Sequence, residues 1–299
     1  MATTYAFAGW AKEKAKSRLP QAPLAFTLPS PPSPVIFEIG PFALRYYGLF
    51  IAIGIALATW VAARELARKG YDSALALDAL FFVVPLGFIG ARLYHVATDY
   101  ELYTEDPFPG IFEVWNGGLG IYGAVIGGVV GILLFARIRR INPLVLADAT
   151  APGLILAQAV GRWGNYFNQE LFGRPSSLPW AVEISPGNRP AGYKDVASFH
   201  PTFLYESIWD LLVAFVLLFV ARRFSDRLKN GDIFLLYVSL YSVGRFFVET
   251  LRIDRAFLIG DFRGNLFVAS VLAITFALIL FLRHAGTGRD SRRKRPAGS

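Results

Sequence analysis

Two short stretches of this chain carry side chains suited to gripping a phosphate. In Gly161–Gly173, GRWGNYFNQELFG, an Arg, two Asn, a Gln and a Glu lie between glycines at the edge of an apolar run. In LYSVGRFFVET, Tyr241, Arg245 and Glu249 recur every four residues. A helix stacks those three on one face, with Arg252 a further turn along. Taken alone, Arg245 and Glu249 also fit a plain reading, an ion pair that neutralises itself and fixes helix packing. Arg162 supplies a second guanidinium, Asn165 follows one turn on, and Gly161 and Gly164 permit close backbone approach. Two convergent arginines with amides and few metal-type ligands suit a phosphate or phosphodiester, because the planar guanidinium binds its oxygens in pairs.

The elements that must position these groups are membrane helices. Of 299 residues 54% are hydrophobic and 17% charged, with 26 Phe and a mean hydropathy of +0.43; ordinary soluble domains carry about 25% charge. Nearly uncharged stretches of about 17 to 21 residues recur, enough to cross roughly 30 Å of hydrocarbon as helices. They fall near Tyr47–Ala63, Leu80–Ala97, Gly117–Ala136, Leu144–Gly161, Phe203–Ala221, Ile233–Val248 and Leu266–Leu282. The expected fold is therefore all-α, a polytopic integral membrane protein of about seven helices with an external polar loop region from Arg162 to Pro201. A phosphate that reaches a site at bilayer depth is most simply a lipid headgroup.

Charge alternates along the loops. ARELARKG, RIRRIN, RRFSDRLKNG and the C-terminal tail are basic, whereas TDYELYTEDPFPGIFE is acidic. The positive-inside rule puts the basic set in the cytoplasm, with the N-terminus outside and the C-terminus inside. Lys12, Lys14, Lys16 and Arg18 argue the other way and are outvoted. The reading divides the chain into an N-terminal extension (1–34), external or surface-lying, a membrane domain (35–282) and a basic cytoplasmic tail (283–299). The +8 net charge reflects topology, so nucleic acid is not an expected partner. With no Cys, the chain has no disulfide, no zinc-thiolate site and no thiol nucleophile of its own. Thiol chemistry here would need sulfur from the substrate.

Charge inside a span costs about 2.5 to 3.5 kcal/mol for a central Arg or Asp and calls for a partner. Arg92, Asp148, Glu206 and Asp210 all raise that demand. His200 precedes Pro201, where a helix begins; a lone His is ordinarily structural, and His95 and His284 more so. No His and carboxylate pattern marks a metal site. Close helix packing explains most glycines of WNGGLGIYGAVIGGVVG but leaves Trp115, Asn116 and Tyr122 over.

These motifs resemble the prolipoprotein diacylglyceryl transferases. GRWGNYFNQELFGRP resembles the family signature G-R-x-G-N-x-x-N-x-E-x-x-G, and LRYYGL around Tyr47, WNGGLGIYGAVIGG, HPTFLYE and YSVGRFFVETLR follow in family order, covering roughly Val35 to Leu282. The resemblance implies transfer of the diacylglyceryl group from phosphatidylglycerol to the lipobox cysteine thiol of preprolipoproteins, the first step of bacterial lipoprotein maturation. A thioether forms and glycerol 1-phosphate is released at the cytoplasmic membrane. It implies no metal and no organic cofactor. Phosphatidylglycerol, lipobox signal peptides and membrane lipids are the implied partners. On this reading Arg162 and Arg245 hold the phosphate, Asn165 and Asn168 orient headgroup hydroxyls, Glu249 holds Arg245, and Glu170 holds Arg162 or meets the glycerol. Tyr47, Tyr241 and Gly173 complete the substrate-binding set. Many members carry a His where this chain has Tyr122, so three routes to a thiolate stay open. Tyr122 orients substrate or relays a proton, His200 serves as base, or the arginine field favours ionisation. Other readings are an anion transporter lined by Arg92, Arg162 and Arg245, and a lipid-binding scaffold without turnover.

Overall fold

The computed structural model describes residues 27–40, 42–103, 110–113, 117–254, 258–259 and 262–285. Trp115, Asn116 and nearly all of both tails lie outside them. Among the described residues, seven helices are long and apolar enough to cross a membrane. They are α1 (Tyr46–Arg68), α2 (Ala74–Thr98), α3 (Ile121–Arg139), α4 (Pro143–Asn168), α5 (Thr202–Arg223), α6 (Asp232–Leu251) and α7 (Gly264–Ala285). Their outward faces are apolar: Phe81 exposes 74%, Ile121 70%, Ile274 68% and Phe281 67% of its surface. In water such faces would form one adhesive patch. In hydrocarbon they are solvated, and the chain is a multi-pass membrane protein.

The helix ends depart from the apolar runs in two places that matter. The helix α3 starts at Ile121 rather than Gly117, because Gly117 and Gly118 take left-handed backbone (φ 92° and 79°) that a helix cannot contain. In contrast α4 runs on past Gly161 to Asn168. Nothing between those residues breaks a helix; the chain turns only at Gln169 and Leu171, both left-handed (φ 51° and 57°). Arg162, Asn165 and Asn168 are thus helical, not part of the loop to which polarity assigned them.

By contacts the chain forms two units. The first comprises the described parts of 1–54, 155–213 and 238–299. Three two-stranded antiparallel pairs belong to it: β1 (Val35–Ile39) with β2 (Phe42–Arg45), β3 (Val182–Glu183) with β4 (Ser198–Phe199), and β5 (Leu258–Ile259) with β6 (Phe262–Arg263). The β3–β4 pair registers Val182 with Phe199, and Leu28 adds a parallel bridge to Val182. Phe172, Val182, Ile184, Phe199 and Phe203 bury one another beneath this pair. The polar-looking 169–201 segment therefore has a core of its own.

The second unit comprises the described parts of 55–154 and 214–237. There α2 and α3 approach so closely that a Cβ on Gly123 would collide with the Gly90 carbonyl, and one on Gly127 with that of Leu86. Small residues at this spacing let helix backbones touch in lipid. The span charges find partners. Asp148 accepts from Lys69 Nζ (3.1 Å) and from the backbone N–H groups of Gly231 (2.9 Å) and Phe234 (3.0 Å). Arg92 donates to four main-chain carbonyls, of Gly110, Ile111, Gly117 and Gly118, at 2.7–2.9 Å. It ties Gly110 and Ile111 to Gly117 and Gly118, which is a packing role rather than the lining of an ion path.

Candidate active site: an arginine pair bridged by a glutamate

Within the first unit, α4, α5 and α6 each send charged side chains inward. Arg162 Nε lies 2.5 Å from Glu206 Oε2, and Arg245 Nη1 donates to Glu206 Oε1 at 2.9 Å. One carboxylate, 6% exposed, thus bridges the two guanidiniums singled out from sequence. Arg162 also hydrogen-bonds Tyr241. A second carboxylate backs the pair. Glu249, fully buried, accepts from Arg245 Nη2 at 2.7 Å, from Arg263 Nε at 2.7 Å and from Asn265 Nδ2 at 3.2 Å, while Arg252 Nε stands 4.0 Å away. Arg252 in turn pairs with Asp254 at 2.7 Å. The i,i+4 spacing on α6 places Arg245 and Glu249 together, as the sequence reading expects.

Asp210 follows Glu206 one helical turn along α5 and is 2% exposed, and its Oδ2 has no hydrogen-bond partner among the described residues. With Arg162, Glu206, Tyr241 and Arg245 it lines a cavity of about 10 Å³, the space of about one water.

The amides form a neighbouring cluster. Asn165 Nδ2 (2.9 Å) and Asn168 Nδ2 (3.1 Å) both donate to Glu170 Oε1. Glu170 therefore binds the two amides and not Arg162, whose partner is Glu206. Tyr47, near the start of α1, packs its ring where a Cβ on Gly164 would sit, so that glycine is required for contact. Gly161, by contrast, has open space where a Cβ would stand and serves no such approach.

Gly173 lies at a junction, bridged by its backbone to Arg252. Its N–H donates to the His200 carbonyl (2.9 Å), and an added Cβ would stand 2.8 Å from His200 Cβ and 3.1 Å from the Leu251 carbonyl. His200 Nδ1 lies 3.1 Å from the Tyr205 hydroxyl, which accepts from Trp180 Nε1 at 3.0 Å. Burial, and then the charge of Arg174, hold the imidazole below its usual range, so it is neutral at pH 7. These bonds tie His200 to Tyr205 and not to the arginine pair. Tyr122 belongs to the second unit, on the first turn of α3, with its ring centroid 5.7 Å from that of Tyr94.

A model of the prolipoprotein diacylglyceryl transferase family matches residues 34–283. The chain belongs to this family. It is 46% identical over 257 residues to the phosphatidylglycerol--prolipoprotein diacylglyceryl transferase of Frankia alni, covering 85% of this chain and 67% of that one. It is 44% identical over 271 residues to the second such transferase of Streptomyces coelicolor (89% and 84% covered), and 45% over 269 residues to that of Cutibacterium acnes (87% and 89%). The charged cluster includes residues to which sequence reasoning gave no role. Glu206 and Asp210 were visible as charges in an apolar span one turn apart, but nothing local tied Glu206 to Arg162. Arg263 and Asn265, which fix Glu249, gave no signal beyond an Arg and an Asn opening the last span.

Proposed function

We propose that this transferase moves the diacylglyceryl group of phosphatidylglycerol onto the lipobox cysteine thiol of a preprolipoprotein in the bacterial cytoplasmic membrane. In this reading residues 35–282 form the catalytic membrane domain, flanked by an N-terminal extension outside and a basic tail in the cytoplasm. The observation that carries it is the arginine pair bridged by Glu206. Arg162 and Arg245 together offer a fork of N–H donors to one phosphodiester, in largely buried surroundings. As the glycerol C–O bond breaks, negative charge grows on the departing phosphate, and donors fixed around that oxygen are most effective there. Glu249, itself fixed by Arg263 and Asn265, sets the angle of Arg245. Both amide bonds to Glu170 fall on Oε1; its Oε2, with Asn165 and Asn168, then takes the headgroup hydroxyls. Tyr47 packs at the same helix end, and Tyr241 orients Arg162. Gly173 and His200 shape the loop beside the site through their mutual contact.

The test is direct. Purified protein is incubated with phosphatidylglycerol and a lipobox peptide, and mass spectrometry looks for the added diacylglyceryl mass with release of glycerol 1-phosphate. A Cys→Ser peptide abolishes the product. Product formed equally on the serine peptide, or none on the cysteine peptide, would refute the assignment.

A further inference from the structure

Thioether formation strips a proton from the thiol, and that proton needs an acceptor. We propose that Glu206 is this acceptor. The inference rests on the role given above to Arg162 and Arg245 as the phosphate grip.

Glu206 is the carboxylate both guanidiniums share. An incoming phosphodiester must take part of the same positive charge, so it arrives beside Glu206 and brings the glyceryl carbon with it. The groups that face Glu206 are Arg162 from α4, Tyr241 and Arg245 from α6, and Asp210 one turn along its own helix. Arg252 and Glu249 lie behind, on the far side of Arg245. An arriving phosphodiester draws on the same two guanidiniums and crowds the Glu206 carboxylate, with the Asp210 carboxyl one turn away. A proton landing on Glu206 relieves that repulsion.

The charges balance. The thiol S–H proton passes to a Glu206 oxygen while the sulfur electron pair forms the bond to the glyceryl carbon. The C–O bond breaks, and its electrons stay on the phosphate oxygen. Phosphate gains one negative charge as Glu206 loses one, so the charge against the two guanidiniums does not change through the step. The proton then moves to the phosphate dianion or to water, and glycerol 1-phosphate leaves. Any acceptor elsewhere would let one more negative charge build up in a low-dielectric site.

The experiment uses the full chain, phosphatidylglycerol vesicles and a lipobox peptide, comparing wild type with Glu206→Gln and Glu206→Asp between pH 6 and 9. Glu206→Gln is expected to bind phosphatidylglycerol at least as tightly as wild type, since a competing anion is gone. Its kcat at pH 7 falls by about 10²- to 10⁴-fold, the usual worth of a positioned proton acceptor. It then rises about tenfold per pH unit toward about 8.5, where the thiol ionises unaided. Glu206→Asp keeps the wild-type pH dependence at reduced kcat. A Glu206→Gln loss that does not vary with pH, or kcat within about threefold of wild type, overturns the proposal. Should the Gln variant fail to fold, Glu206→Asp decides, because a pH slope of about tenfold per unit in a variant that still carries a carboxylate overturns it too. Phosphatidylglycerol affinity separates the two claims. If Arg245→Lys leaves that affinity unchanged, the phosphate grip fails; if affinity drops while Glu206→Gln shows no pH rescue, only the acceptor role fails.

Discussion

Replacing Arg245 by Lys separates geometry from charge at the site. Arg245 donates from Nη1 to Glu206 at 2.9 Å and from Nη2 to Glu249 at 2.7 Å. An ammonium is a point charge on a differently shaped stem and stays with one of them. One charge-assisted hydrogen bond is lost, about 1.5 to 3 kcal/mol. The larger cost of an orphaned buried charge, about 3 to 5 kcal/mol, does not arise, because Glu249 keeps Arg263 and Asn265 and Glu206 keeps Arg162. The variant is expected to insert and fold with a modestly lowered melting temperature. Turnover suffers more. Removing one fixed donor from a growing oxyanion costs about 10²- to 10³-fold, or about 2.7 to 4 kcal/mol, and that is the expected fall in kcat. The assay is diacylglyceryl transfer to a lipobox peptide followed by mass spectrometry, with thermal unfolding in detergent run in parallel. Turnover within about tenfold of wild type in a protein of unchanged stability would refute the bidentate role.

Glu249→Gln leaves Arg245 and Arg263 facing a neutral amide in a fully buried position. Breaking a buried ion network from one side costs about 3 to 5 kcal/mol, so detergent melting should fall far more than for Arg245→Lys. Gly164→Leu drives a branched side chain into the Tyr47 ring. Overpacking of this kind costs about 1 to 3 kcal/mol, and displacing Tyr47 should weaken phosphatidylglycerol affinity measured by titration. His200 is held neutral by burial and by Arg174, so its folded-state affinity for a proton lies below that of the unfolded chain. The unfolded state then binds more protons as pH falls through about 6.5, and stability declines from there until the folded ring is also protonated. His200→Asn should flatten that slope in melting scans between pH 7 and 5.

The seven spans were legible because lipid demands continuous apolar runs, a signal that survives without any partner. Their ends were less legible, since a helix stops where the backbone turns and not where polarity begins. Arg162, Asn165 and Asn168 read as loop because they are polar, yet the chain stays helical until Gln169 adopts φ 51°. The β3–β4 pair was invisible for another reason: two-residue strands have no alternation to detect, and their core joins Phe172 to Phe199 across a Pro- and Gly-rich segment. Within the site, what lies on one helix face was readable. Tyr241, Arg245 and Glu249 follow from a spacing of four. What joins helices was not, so Glu206 showed as an unexplained charge and Arg263 not at all. Assembled, the guanidiniums of Arg162, Arg245, Arg252 and Arg263 meet the carboxylates of Glu206, Glu249 and Asp254, with the Asp210 carboxyl beside them. Such pairing lets so much charge sit at membrane depth. An anionic lipid headgroup adds one negative charge on arrival, and a proton drawn from the thiol onto Glu206 offsets the second, which develops as the C–O bond breaks.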